Sequence, residues 1–172
     1  KAELAKDSEA IAFQNSYDTE TSIGLEGTKS LSGRTLKDGE FTFEVKDKAG
    51  KVVATGSNKS DGSISFNNKL NYKLSDLEKA DGSYESEKTY EYTVNEVIPE
   101  GATAENNYTV NGVTYDSKTV NVKVTVTYNK ETGELKAELA KDSEAIAFQN
   151  SYETKTSIGL EGTKSLSGRT LK

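Results

Sequence analysis

Residues 119–129 read TVNVKVTVTYN, and the apolar positions Val120, Val122, Val124, Val126 and Tyr128 alternate through them without a break. A period of two places one row of side chains on one face of a pleated strand, so this stretch predicts a long, half-buried strand. Upstream, TYEYTVNEV (89–97) has the same pattern, and TVNGVTYD (109–116) holds the Asn111-Gly112 pair that favours a tight hairpin turn. Downstream, NKETGEL turns the chain into LKAELA (135–140), and AIAFQNSY (145–152) alternates again. Toward the N-terminus, GEFTFEVKD (39–47) puts Phe41, Phe43 and Val45 on one face and turns at DKAG into KVVATG. Ile64 and Phe66 are in phase over 63–66, and LSDLEKADGS (74–83) lacks strand character and predicts a single helical turn. No segment has a convincing helical period. The pattern predicts an all-β sandwich of Ig-like proportions.

Composition agrees. Only 33% of the 172 residues are hydrophobic, enough for a thin two-layer core rather than a thick α/β body. A net charge of −6 and a pI near 4.9 argue against nucleic acid, and against an anionic membrane surface, as partners. Cysteine and histidine are both absent, which removes disulfides, thiolate metal sites and every His-containing catalytic triad. No apolar run approaches transmembrane length, so no membrane insertion is expected in this segment. The ligand spacing around Asp61-Gly62 suits a turn rather than a calcium loop, so neither metal nor cofactor is expected.

The chain also repeats itself. Residues 1–37 and 136–172 agree at 35 of 37 positions, differing only where Asp18 becomes Glu153 and Glu20 becomes Lys155. An offset of 135 residues is a whole domain, longer than any solenoid unit. Both differences fall in a polar stretch between apolar-patterned runs, where an interdomain linker belongs. A complete repeat is therefore expected at 22–152, with 1–20 ending the preceding repeat and 156–172 beginning the following one. Adjacent repeats of the same polypeptide, or neighbouring chains end to end, are the expected partners.

Three strands each aim one polar side chain at the core. Lys29 shares the phase of Ile23, Leu25, Gly27 and Leu31 in TSIGLEGTKSL. Glu96 continues Tyr90, Tyr92 and Val94, and Asn150 lies between Phe148 and Tyr152 in the series begun by Ile146. A phase slip or a place at the rim explains any one of them, but together they form a chemically complete set. Desolvation lowers a lysine pKa and raises a glutamate pKa, giving a neutral amine and a neutral acid. The amine can attack the Asn150 side-chain amide, with Glu96 polarising its carbonyl and shuttling a proton to the departing ammonia. The event happens once per domain, so it is maturation rather than enzymatic turnover.

At these residues the chain resembles the Gram-positive pilin isopeptide-linkage domain, a relative of the CnaB-type inverse-Ig modules of pilins and surface adhesins. The resembling stretches are TKSLSGRTLKDGEFTFEV (28–45), NKSDGSISFNN (58–68), YEYTVNEV (90–97), GVTYDSKTVNVKVTV (112–126) and AIAFQNSY (145–152). The resemblance implies a β-sandwich whose first and last strands are adjacent and cross-linked. A first-strand lysine (Lys29) would join a last-strand asparagine (Asn150) across the core, assisted by a central-strand glutamate (Glu96). It also implies an extracellular, cell-surface stalk, cell-wall anchored in the full-length protein. Asn15 and Lys164 would be orphan cross-link positions, completed by the preceding and following repeats. No lysine lies in a recognisable motif for sortase polymerisation, which favours a tandem-repeat adhesin. A ligand-binding adhesin module is the alternative function, and a hydrolase using paired carboxylates ranks last. The sequons at Asn58 and Asn107 carry little weight in a bacterial context.

Overall fold

The structure is a computed structural model that describes residues 18–154 together with Gly162. Twelve strands follow one another among the described residues: β1 (Glu20–Ile23), β2 (Glu26–Ser32), β3 (Thr42–Asp47), β4 (Val52–Asn58), β5 (Ser63–Phe66), β6 (Leu70–Lys73), β7 (Glu87–Glu96), β8 (Thr109–Val110), β9 (Val113–Thr114), β10 (Thr119–Asn129), β11 (Glu134–Leu139) and β12 (Ala147–Tyr152). Two short 3-10 turns, Leu74–Leu77 and Ala104–Asn106, are the helical elements.

Ten strands form one ladder in the order β11-β10-β7-β3-β4-β5-β2-β12-β9-β8, which folds over on itself into two layers. Side chains of β7 and β3 meet those of β2 and β12 across the core. Across the gap the rings of Phe43 (β3) and Phe148 (β12) lie 5.1 Å apart. The inward rows are those with apolar alternation: Phe43, Val45, Val94, Val120, Val122, Val124, Val126 and Phe148 are all buried. Each such side chain contributes about 1.5–3 kcal/mol relative to exposure. The fold is thus the expected all-β, Ig-like sandwich. Asn111 (φ 51°) and Gly112 (φ 80°) form the tight turn joining β8 to β9.

Every pairing in the ladder is antiparallel except one. β2 and β12 run parallel, with Phe148 opposite Lys29 and Asn150 opposite Leu31. β2, the first strand of the ten-stranded ladder, and β12, the last, are therefore hydrogen-bonded neighbours rather than strands facing each other across the core.

Two elements differ from expectation. TSIGLEGTKSL is two strands, because the chain changes partners at Gly24-Leu25. β1 pairs with β6 in a separate two-stranded ladder, whereas β2 pairs with β5 and β12. A strand that leaves one ladder for another must break its hydrogen bonding, and Leu25 turns into the core at the break. The second is LNYK (70–73), a strand with no assignment from the pattern; its Leu70 and Tyr72 are buried, with Leu74 and Leu77 of the following turn. Tyr72 packs its ring 4.8 Å from that of Tyr90, and its hydroxyl lies 2.8 Å from that of Tyr92.

Candidate isopeptide site

Strand parity positions each side chain. In β2 the inward row runs Gly27, Lys29, Leu31; in β7 it ends Val94, Glu96; in β12 it contains Phe148 and Asn150. Pairing of β7 with β3 sets Glu96 opposite Phe43 in one layer, while Lys29 and Asn150 descend from neighbouring strands of the other. All three are buried: Lys29 is 3% exposed, Glu96 5% and Asn150 1%.

They meet at one point. The Lys29 Nζ donates to Glu96 Oε2 at 2.7 Å, and the Asn150 Nδ2 donates to Glu96 Oε1 at 2.6 Å. Phe41 and Phe43 flank the amine, with Nζ 4.6 Å and 5.9 Å from their ring centres. Both rings are themselves buried. Burial pulls the Lys29 amine below its ordinary pKa, against the pull of Glu96 in the other direction. Burial likewise pushes the Glu96 carboxyl up, although Lys29 and Asn150 both favour its charged form. Both shifts favour moving a proton from lysine to glutamate, which leaves a nucleophilic amine beside a neutral acid.

The orientation of the Asn150 amide corrects one expectation. Its Oδ1 faces the backbone N–H of Asp116 at 2.9 Å. A backbone N–H can only donate, so the atom it meets must be the oxygen, and the amide nitrogen is the atom turned to Glu96. Glu96 therefore sits between the attacking and the leaving nitrogen instead of on the carbonyl. Asp116, in the connection between β9 and β10, had no signal in the strand pattern.

Asn58 is a second buried polar residue outside that pattern, 1% exposed. Its Oδ1 accepts the Phe41 N–H at 2.8 Å, and its Nδ2 donates to the carbonyls of Lys37 (2.7 Å) and Lys59 (3.2 Å). It fastens the chain just before β3, where Phe41 covers the amine. So enclosed, it has no room for a glycan. Asn15 and Lys164 lie outside the described residues.

Residues 25–153 match the FctA family model, described as a Spy0128-like isopeptide containing domain. No curated protein matches the chain. Among solved structures it is similar to the major pilin from Streptococcus pyogenes, at 19% identity and a TM-score of 0.41, over 77% of this chain and 51% of that one. A mutant of that pilin gives 16% identity and 0.42 over 77% and 51%. The major pilin protein T-13 from the same species gives 19% and 0.36 over 78% and 54%. The chain spans about half the length of the solved pilins it matches.

Proposed function

Because this chain belongs to the family of Spy0128-like isopeptide containing domains, we propose that Lys29 and Asn150 become covalently joined, and that the locked domain is a structural unit of a bacterial surface fibre or stalk. The observation that carries the reading is the Glu96 carboxyl group, buried in the core at 2.7 Å from the lysine nitrogen and 2.6 Å from the amide nitrogen.

The chemistry balances without an outside reactant. Lys29 passes one proton to Glu96, and its free electron pair forms the Nζ–Cγ bond to Asn150, leaving N⁺ and O⁻ on the tetrahedral intermediate. Glu96 gives its proton to the amide nitrogen and takes one from the former lysine nitrogen. The Cγ–Nδ2 bond breaks, the carbonyl re-forms and neutral ammonia departs. Glu96 ends protonated, in keeping with the upward push of burial on its pKa. Holding the reactants in contact supplies the effective concentration that amide exchange otherwise lacks. The reaction runs once in each domain, so the protein is its own substrate and not an enzyme. Adjacent repeats, or neighbouring chains in a fibre, are the partners in this reading, at the surface of a Gram-positive cell.

Intact-mass measurement tests it. The folded chain should weigh one ammonia less than its sequence, and a peptide digest should contain Lys29 joined to Asn150. Glu96→Gln and Glu96→Ala should each slow linkage about 10²–10⁴-fold, the usual contribution of a positioned acid–base group. A folded chain of full sequence mass would sink the proposal.

A further inference from the structure

We infer that Asp116 completes the cross-linking site, its backbone N–H serving as the oxyanion donor to Asn150 Oδ1 and its carboxylate as the clamp that holds that N–H in place. The inference rests on the reading of Lys29, Glu96 and Asn150 given above.

When the amine attacks, negative charge develops on Oδ1. The donor already in contact with that oxygen is the Asp116 N–H, at 2.9 Å. A donor fixed before the reaction needs no reorganisation as charge appears, and in a buried site it acts through a low dielectric. The same hydrogen bond fixes the rotation of the amide. Turned by half a revolution, Asn150 would present its carbonyl to Glu96 and its leaving nitrogen to a group that cannot protonate it.

The Asp116 side chain reaches back to the strand that carries Asn150. Its Oδ2 accepts the N–H of Gln149, the residue just before Asn150, at 3.0 Å. Its Oδ1 accepts the N–H of Lys118 at 3.2 Å, and the Lys118 ammonium lies 3.2 Å from Oδ2. One residue thus grips β12 twice, through its N–H at Asn150 and its carboxylate at Gln149. Burial pushes the Asp116 carboxyl up, but the N–H groups of Gln149 and Lys118 and the Lys118 ammonium together hold it below the usual carboxylate range. It therefore stays an acceptor at neutral pH.

The test replaces the amide N–H alone. The full 172-residue chain, made cell-free with the α-hydroxy acid analogue of aspartate at position 116, carries an ester where that N–H was. Collected in denaturant and then refolded, it is followed by intact mass for loss of ammonia. Removing one oxyanion donor should slow linkage about 10²–10³-fold relative to the unmodified chain, with circular dichroism unchanged. Asp116→Asn, which keeps both the N–H and an acceptor for Gln149, should link near the normal rate. Asp116→Ala should link at least about tenfold more slowly at the same folded fraction, consistent with loss of the positioned acceptor for Gln149. If the unmodified chain never loses ammonia, the cross-link falls, and this inference with it. If the unmodified and ester chains link at equal rates, only the role of Asp116 falls. Should the ester chain not fold, equal rates for the Asn and Ala variants overturn it, and Asn-specific rescue upholds it.

Discussion

At the scale of single residues, the unlinked site carries an opposed pair of titrations. Asn150→Ala removes the electrophile and leaves Lys29 and Glu96 in the core. Glu96 has its pKa raised from 4.5, chiefly by burial, so above 4.5 the folded state holds its proton longer than the unfolded chain does. Stability from this group is present in acid and is lost as pH rises through the folded value. Lys29 is lowered from 10.5, again chiefly by burial, so the unfolded chain binds the extra proton between the folded value and 10.5. Its effect on stability is to recover as pH climbs toward 10.5. The Asn150→Ala chain should therefore be least stable between these windows, after the contribution of Glu96 has been lost and before that of Lys29 recovers. Thermal unfolding across pH should show that minimum, and adding Lys29→Met with Glu96→Gln should flatten it. These three residues were legible in the sequence because parity in a strand is strict. Asp116 was not, since its function comes from a backbone N–H in a loop, and no side-chain pattern records where a main-chain donor points.

At the scale of elements, the contact that brings the reactants together is the parallel pairing of β2 with β12. It depends on Gly33 at the end of β2. Gly33 has φ +86°, and a Cβ there would lie 2.0 Å from the Tyr152 carbonyl oxygen. Gly33→Ala thus combines a left-handed backbone with a collision that forces the two strands apart. In the Asn150→Ala background it should cost about 2–4 kcal/mol, read as a fall in the urea midpoint. Gly39 is the control: its φ is +66° but a Cβ there meets nothing within 4 Å, so Gly39→Ala should cost only the backbone strain, about 1–2 kcal/mol. Strands with a clean period of two, such as β7, β10 and β12, were readable in advance. The break between β1 and β2 was not, because an apolar series continues smoothly while its hydrogen-bonding partner changes. Nor was β6, where Leu70 and Tyr72 run straight on into the helical turn at Leu74 with no turn residue to mark the end of a strand.

At the scale of the whole molecule, the direction of β2 and β12 decides how a pull along the chain is met. Running parallel, the start of β2 and the end of β12 lie at opposite ends of the pair. Tension entering before residue 26 and leaving after residue 152 would load their hydrogen bonds in shear, with the proposed bond between them. The bond also closes the chain between positions 29 and 150, a separation of 121, into a loop. On the chain-entropy model this should add about 5 kcal/mol over Asn150→Ala, measurable as a higher denaturant midpoint. A further consequence concerns reach. At about 3.4 Å per extended residue, that stretch represents about 400 Å of slack per repeat. With the lock closed, none of it can pay out when the fold yields. A string of such repeats would behave as a rope of set length rather than a spring, and whatever it tethers would stay at the same distance from the cell under drag.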